Sequence, residues 1–347
     1  MTSDKKSDQR SCRVLWQRRG AYAVVGSLVP LADGALVLSS RGSCLRVESL
    51  SVHGGEARWR EQIDGPGMGT MARTGTMVVV ATKRGLTLLD AKSGRLSATN
   101  WSPTGRAYGG VIRARSGGCY TLSQKGRRLF VEAVDLRDQK LRWEWELKKA
   151  AFADVDLMLA GDTLIVAVAT KDAELRVVAL ARDNGNMLWE RKGPKSTVLH
   201  SWAFCDLIDI VLAEGGIWGL DRGDGSDRIL RFTSLDYLDA RLAGQTFVAL
   251  LEQDGERILL AMDVVSGELL GTLPTNVRRI VGVHTGEVIT EHPDGYPEIF
   301  AMPTLTAIAM PEVARVGKTA SVAWARDVAY LVAKDRHRVT ALDLRKA

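Results

Sequence analysis

Five histidines, His53, His200, His284, His292 and His337, are the obvious candidates for proton transfer or metal binding. None stands at the HxH or HExxH spacing that would bring two imidazoles onto one ion. His53 falls in an expected turn and His337 in an expected loop, where a solvated histidine has no chemical task. Cys12, Cys44, Cys119 and Cys205 lie far apart, in neither metal-ligand nor paired spacing, which suits reduced thiols in the cytosol. The run Asp221-Arg-Gly-Asp-Gly-Ser-Asp227 resembles a calcium loop, but the EF-hand order of ligands is absent and turn chemistry already accounts for Asp and Gly there. Glycines at Gly65, Gly67 and Gly69, and at Gly109-Gly110, lack the Lys-Ser/Thr and helix of a phosphate loop. No catalytic, cofactor-binding or metal residue is assigned, and no cofactor is expected.

The elements that would position such groups are therefore the informative part. At 347 residues, 46% hydrophobic and 25% charged, the chain can bury a large core and is too apolar for a disordered protein. A net charge of +6, without a dense basic block, gives no reason to expect nucleic acid. Arg18-Arg19 and the apolar residues 21–32 superficially resemble a twin-arginine export signal. Residues 31–39 nevertheless match residues 159–167, which places the segment inside the folded repeat and predicts that it is not cleaved. No apolar run reaches the roughly 18 residues of a membrane span, so membrane insertion is not expected.

The repeat is a short apolar strand ending in Leu-Asp or a close variant, a Gly-containing turn, then a strand that often carries Trp. Eight pivots occupy the Asp position: Ser51, Asp90, Asp135, Ala181, Asp221, Asp263, Pro303 and Asp343. Their spacing runs from 39 to 46 residues, the span of a four-stranded propeller blade. Four residues on stand Gly55, Gly94, Gly185, Gly225 and Gly267, where a tight hairpin needs positive φ; Gln139 and Ala307 depart from this. Eight residues on stand Trp59, Trp143 and Trp189, against Ala98, Ile229, Gly271 and Pro311 in other copies. Short β-rich runs between Gly, Asp and Asn turns predict an all-β fold, an eight-bladed β-propeller of four-stranded antiparallel blades, with seven blades as the alternative.

After Asp343 only four residues remain, so the eighth blade lacks its outer strand. Arg13-Val-Leu-Trp-Gln-Arg18 resembles Asn186-Met-Leu-Trp-Glu-Arg191, with Trp16 in the place of Trp189. The expected arrangement is a polar tail over residues 1–10 and one propeller domain over 11–347. Its eighth blade is shared between about 12–18 and 319–347, and Val14, Trp16 and Asp343 make the closure.

The Leu-Asp-x-x-Ser/Thr-Gly-x-x-x-Trp pattern resembles the quinoprotein alcohol-dehydrogenase-like, or pyrroloquinoline-quinone-like, repeat superfamily over essentially the whole chain. The resemblance implies the propeller; its dehydrogenases would imply an adjacent Cys-Cys pair, a Ca²⁺ site and a catalytic Asp. No Cys-Cys occurs here. The architecture is also similar to the lipoprotein scaffold of the outer-membrane β-barrel assembly machine, but Cys12 has no apolar stretch before it and does not match that family's lipidated Cys.

What remains is a surface. Trp101 and Trp202 are off the Trp register and near expected inter-blade loops, and are candidate anchors for a partner. Lys148, Lys149, Arg191, Lys192, Lys195, Arg278 and Arg279 gather at inter-blade segments and would form a positive crescent if they shared one rim. The functional expectation is a cytoplasmic bacterial scaffold or accessory subunit, not an enzyme, acting as a monomeric ring within a hetero-complex; export is the alternative location. A small-ligand site in the axial channel is the alternative function, and a quinoprotein-type oxidoreductase ranks third.

Overall fold

Alternating apolar strands of six to nine residues, punctuated by turns that accept positive φ, can satisfy their backbone only by pairing with their neighbours in sequence. The computed structural model describes residues 12–25, 28–64, 69–125, 128–147, 152–170, 174–195, 198–204, 207–212, 216–232, 236–264, 266–310 and 319–345. All regular structure among them is β, arranged in eight antiparallel sheets. Blades 1 to 7 follow chain order over residues 23–64, 69–101, 107–147, 152–195, 198–232, 236–275 and 279–308. The innermost strand of blade 1 is split into Ala23–Val24 and Val29–Leu31.

Blade 8 combines Thr319–Ala325, Val328–Ala333 and Arg338–Asp343 with Arg13–Arg19 from the other end of the chain. Val14 lies opposite Leu342, and Trp16 opposite Ala341. Each innermost strand touches the innermost strand of the next blade, and Val29–Leu31 touches Thr319–Ala325, which closes the ring.

Every pivot stands at the end of its blade's third strand, or two residues beyond it in the case of Pro303. The reason is local. The Asp90 carboxylate accepts from the Lys92 and Ser93 amides, and Asp135, Asp221, Asp263 and Asp343 cap their own turns in the same way. Gly55, Gly94, Gly185, Gly225 and Gly267 all adopt φ near +70° four residues later. Where glycine is missing in blade 3, Gln139 takes φ +53° itself; in blade 7, Leu305 takes φ +56°.

The outer strand of seven blades then shifts register by one residue, at Leu15, Arg58, Ser97, Arg142, Leu188, Arg228 and Leu270. Such a bulge turns the following side chain, which in four blades is Trp16, Trp59, Trp143 or Trp189, toward the next blade. Most of the core among the described residues lies in inter-blade clusters drawn from the facing sides of neighbouring sheets.

Candidate interaction surface at the blade seams

Four seams share one construction. The indole nitrogen of Trp16 donates to the Val52 carbonyl, Trp59 to Ala91, Trp143 to Arg182 and Trp189 to Arg222, all at 2.9–3.1 Å. Each acceptor is the residue just after the pivot of the following blade. The ring lies flat under that blade's positive-φ glycine: a Cβ built on Gly55, Gly94, Gly185 or Gly225 would come within 2.5–2.6 Å of the indole. Glycine is thus needed twice over, for its backbone and for the space.

Between blades 6 and 7 the bulk changes sides. Gly271 occupies the Trp position, and a Cβ there would lie 2.7 Å from the Pro303 carbonyl oxygen. The filling group is Leu305, on the turn itself and 2% exposed. Polar contacts between inner strands add to the seams of this region. The Asp239 carboxylate of blade 6 accepts from the Ile280 amide of blade 7 at 3.0 Å, and burial raises its pKa against the opposing pull of Arg241. Arg279 of blade 7 pairs with Glu291 at 2.6 Å and donates to the Thr319 carbonyl of blade 8.

Two buried carboxylates occupy the same repeat position, three residues before the pivot. Glu132 of blade 3 is wholly buried and receives Ser123 Oγ at 2.5 Å, Thr104 Oγ1 and Arg106 at 2.9 Å, and Tyr108 at 3.2 Å. Arg106 also binds Glu144, and its guanidinium lies 3.7 Å from the centre of the Phe130 ring. Burial, first of all, raises the Tyr108 pKa, and the Glu132 charge adds to it. Glu48 of blade 1 instead meets three arginines: Arg18 at 3.0 Å, Arg60 at 2.8 Å and Arg46 at 3.4 Å. Sequence reasoning misses both centres, although an acid inside an otherwise apolar third strand is the signal that could have found them.

The sequence-predicted surface residues divide. Trp101 ends the outer strand of blade 2 opposite Leu86 and packs half-buried against the cluster between blades 2 and 3, so it is not a free anchor. Arg191 donates to the Gly225 carbonyl at 2.7 Å, and Arg279 is occupied as described; both fasten blades, which removes them from a free positive rim. Lys192 and Arg278 are exposed. Lys148, Lys149 and the side chains of Lys195 and Trp202 lie outside the described residues.

His284 stacks on Trp324 at 5.1 Å and His292 on Tyr296 at 4.1 Å, so both imidazoles are packed against aromatic rings. Among the described residues no group of three or more His, Cys, Asp or Glu is arranged to hold a metal ion, and no helix is long and apolar enough to cross a membrane.

The fold and its repeating seams define a β-propeller of the pyrroloquinoline-quinone-like superfamily. A family model described as outer membrane protein assembly factor BamB matches residues 5–228, and the chain belongs to that family. Among solved structures, BamB from Moraxella catarrhalis is similar at TM-score 0.66 and 16% identity, covering 96% of this chain and 99% of that one. The computationally designed protein Ika8 is similar at TM-score 0.71 and 14% identity, covering 95% and 99%. The quinohemoprotein alcohol dehydrogenase ADHIIG of Pseudomonas putida HK5 is similar at TM-score 0.63 and 13% identity, covering 99% and 78%. At these identities the likeness concerns the fold. A search of the curated proteins gave no match.

Proposed function

We propose that this protein is a non-catalytic scaffold, an accessory subunit that offers a rigid ring to one or more protein partners in a bacterial multiprotein system. The observation that carries the reading is how the repeat spends its conspicuous residues. The pivot aspartates cap turns, the in-register tryptophans lock seams, and Glu132 is taken up in the interior by Ser123, Thr104, Arg106 and Tyr108. Membership of a family described as an assembly factor supports a role beside other proteins. The same description favours export to the cell envelope over the cytoplasm expected from the cysteines, and fractionation of the native cell tests this.

Affinity purification of the full chain from its native cell should recover a partner at fixed stoichiometry. Recovery of none, together with a bound small molecule seen by native mass spectrometry, would transfer the function to the axial channel. Addition of quinone and Ca²⁺ should give no reduction of an artificial electron acceptor; turnover there would overthrow the scaffold reading.

A further inference from the structure

The Glu48 centre differs in charge from its repeat equivalent. In blade 3 the outer-strand residue paired opposite Glu132 is Glu144, and a single arginine, Arg106, serves both acids. In blade 1 the residue in that register is Arg60, opposite Glu48, joined by Arg46 two residues before Glu48 and by Arg18 from the closing strand of blade 8. One carboxylate that is 7% exposed therefore faces three guanidinium groups, where structural pairing needs one or two. Arg46 Nε is buried and has no hydrogen-bond partner among the described residues, while the guanidinium of the same side chain lies 3.8 Å from the centre of the Tyr22 ring. Arg60 is 56% exposed.

This excess borders a groove of about 560 Å³ between the outer strands of blades 8 and 1, lined by Gln17, Arg18, Ala57, Trp59 and Arg60 with the Gly54-Gly55-Glu56 turn at one end. Glu56 is the acid on the rim, and hydrogen bonds from its own backbone amide and the Ser51 hydroxyl hold its carboxyl below the usual range, so it stays ionised. We propose that this groove docks a carboxylate-bearing segment of a partner protein, with Arg18 and Arg60 as the contacting cations and Arg46 reinforcing them. Two features favour an acidic peptide over a nucleic acid. Arg18 and Arg60 already bind a carboxylate, the geometry a guanidinium fork suits. Ala57 gives the groove an apolar spot beside the arginines for a peptide side chain. The proposal rests on the scaffold reading and gives it a site and a partner chemistry. Occupancy would also bridge the two ends of the ring, because Arg18 belongs to the closing strand and Arg60 to blade 1.

The test is fluorescence anisotropy of a labelled hexaglutamate peptide with the full chain at low ionic strength, where exposed ion pairs are least screened. Saturable binding is expected. Arg60→Gln, and separately Arg46→Gln, should weaken it at least fivefold. Arg228→Gln, which changes an arginine engaged with the turn acid Asp221 in blade 5, should alter it less than twofold. Saturating peptide should raise the melting midpoint of the wild type and not that of Arg60→Gln. Equal affinity for wild type and Arg60→Gln, no peptide binding, or tighter Arg60-dependent binding of a short oligothymidylate would each overturn the proposal. Circular dichroism and an unchanged midpoint without peptide establish that Arg60→Gln folds. Should both forms recover the same native partner equally, this site is refuted while the scaffold reading stands; should wild type bind hexaglutamate through Arg60 yet recover no partner, the scaffold reading fails instead.

Discussion

The seams joining blades 8, 1 and 2, and blades 3, 4 and 5, are closed by tryptophan under glycine, whereas those joining blades 6, 7 and 8 use a leucine on the turn and polar contacts between inner strands. The family match ends at residue 228, inside blade 5, just where the tryptophan seams end. Blades 6 and 7 continue the same strand topology with Gly271 and Pro311 in the tryptophan register. The two regions teach that the ring is specified by strand number and turn position, while the means of fastening one blade to the next can be exchanged.

The largest effect should come from removing a tryptophan. Trp16→Ala deletes a ring that is 7% exposed and its hydrogen bond to Val52, at a cost of about 4 kcal/mol in chemical denaturation. Trp189→Ala should lose a similar amount in the middle of the chain. They should differ in where the ring opens. Cys12 sits in the cluster between blades 7 and 8, next to the closing strand, with its thiol pKa pushed up by burial to about 11. Mass-spectrometric alkylation should show Cys12 reacting early in Trp16→Ala and late in Trp189→Ala. Equal rates in both would mean that the closing seam is no weaker than an internal one.

The polar region can be broken through Arg279. Replacing it by Gln leaves Glu291, 3% exposed, without its cation, and removes the donor to Thr319. The expected loss is about 2 kcal/mol, reduced from a fully buried pair because Arg279 is itself 39% exposed. Unlike the tryptophan variants, this loss should respond to salt. A denaturation midpoint equally shifted at low and high ionic strength would count against an electrostatic fastening.

These contrasts also mark what is legible in the sequence. The pivots can be read because their causes lie within four residues: an Asp that caps its own turn, and a glycine at positive φ. The tryptophans are visible as a register, and Trp16 near the N-terminus resembles Trp189; in the structure its strand pairs with Arg338–Asp343. Their partners are not visible, since Trp59 and Gly94 are joined only by the packing of two sheets. The exchange of bulk between Gly271 and Leu305 is hidden for the same reason, and because blade 7 places its positive-φ residue two positions away from the others in the repeat frame. Charge reads in the sequence as a rim of exposed cations, but charge in a propeller is sorted by which strand faces which. Arg191 and Arg279 go to the seams, while Arg18, Arg46 and Arg60, distant in sequence, meet at Glu48.

A difference of similar size separates the two tasks of the seam glycine. Gly94→Ala meets both a left-handed backbone and the Trp59 ring, and should cost about 3 kcal/mol; Gly75→Ala has φ +57° but nothing within 4 Å of the new Cβ, and should cost about 1 kcal/mol. The difference reports the indole alone. Combining Gly94→Ala with Trp59→Leu should therefore cost less than the sum of the single changes, as a double-mutant cycle would reveal.

The smallest change expected is a gain. Gln139 holds the left-handed position of the blade 3 turn at φ +53°, where a side chain costs about 1 to 2 kcal/mol and glycine costs nothing sterically. Glycine also enlarges the entropy of the unfolded chain by about 0.5 to 1 kcal/mol, which offsets part of that relief. Gln139→Gly should therefore stabilise by about 0.5 kcal/mol, seen as a small rise in the denaturation midpoint at constant m-value. Seam 2–3 has Ala98 in the Trp position, so no ring waits under that turn to reward glycine further. Ala98→Trp combined with Gln139→Gly would supply both halves of the missing contact. If that double variant were more stable than Gln139→Gly alone, the fastening would prove transferable between seams; a loss would mean that Leu136 and Leu141, which already fill the space, have committed blades 2 and 3 to a different closure.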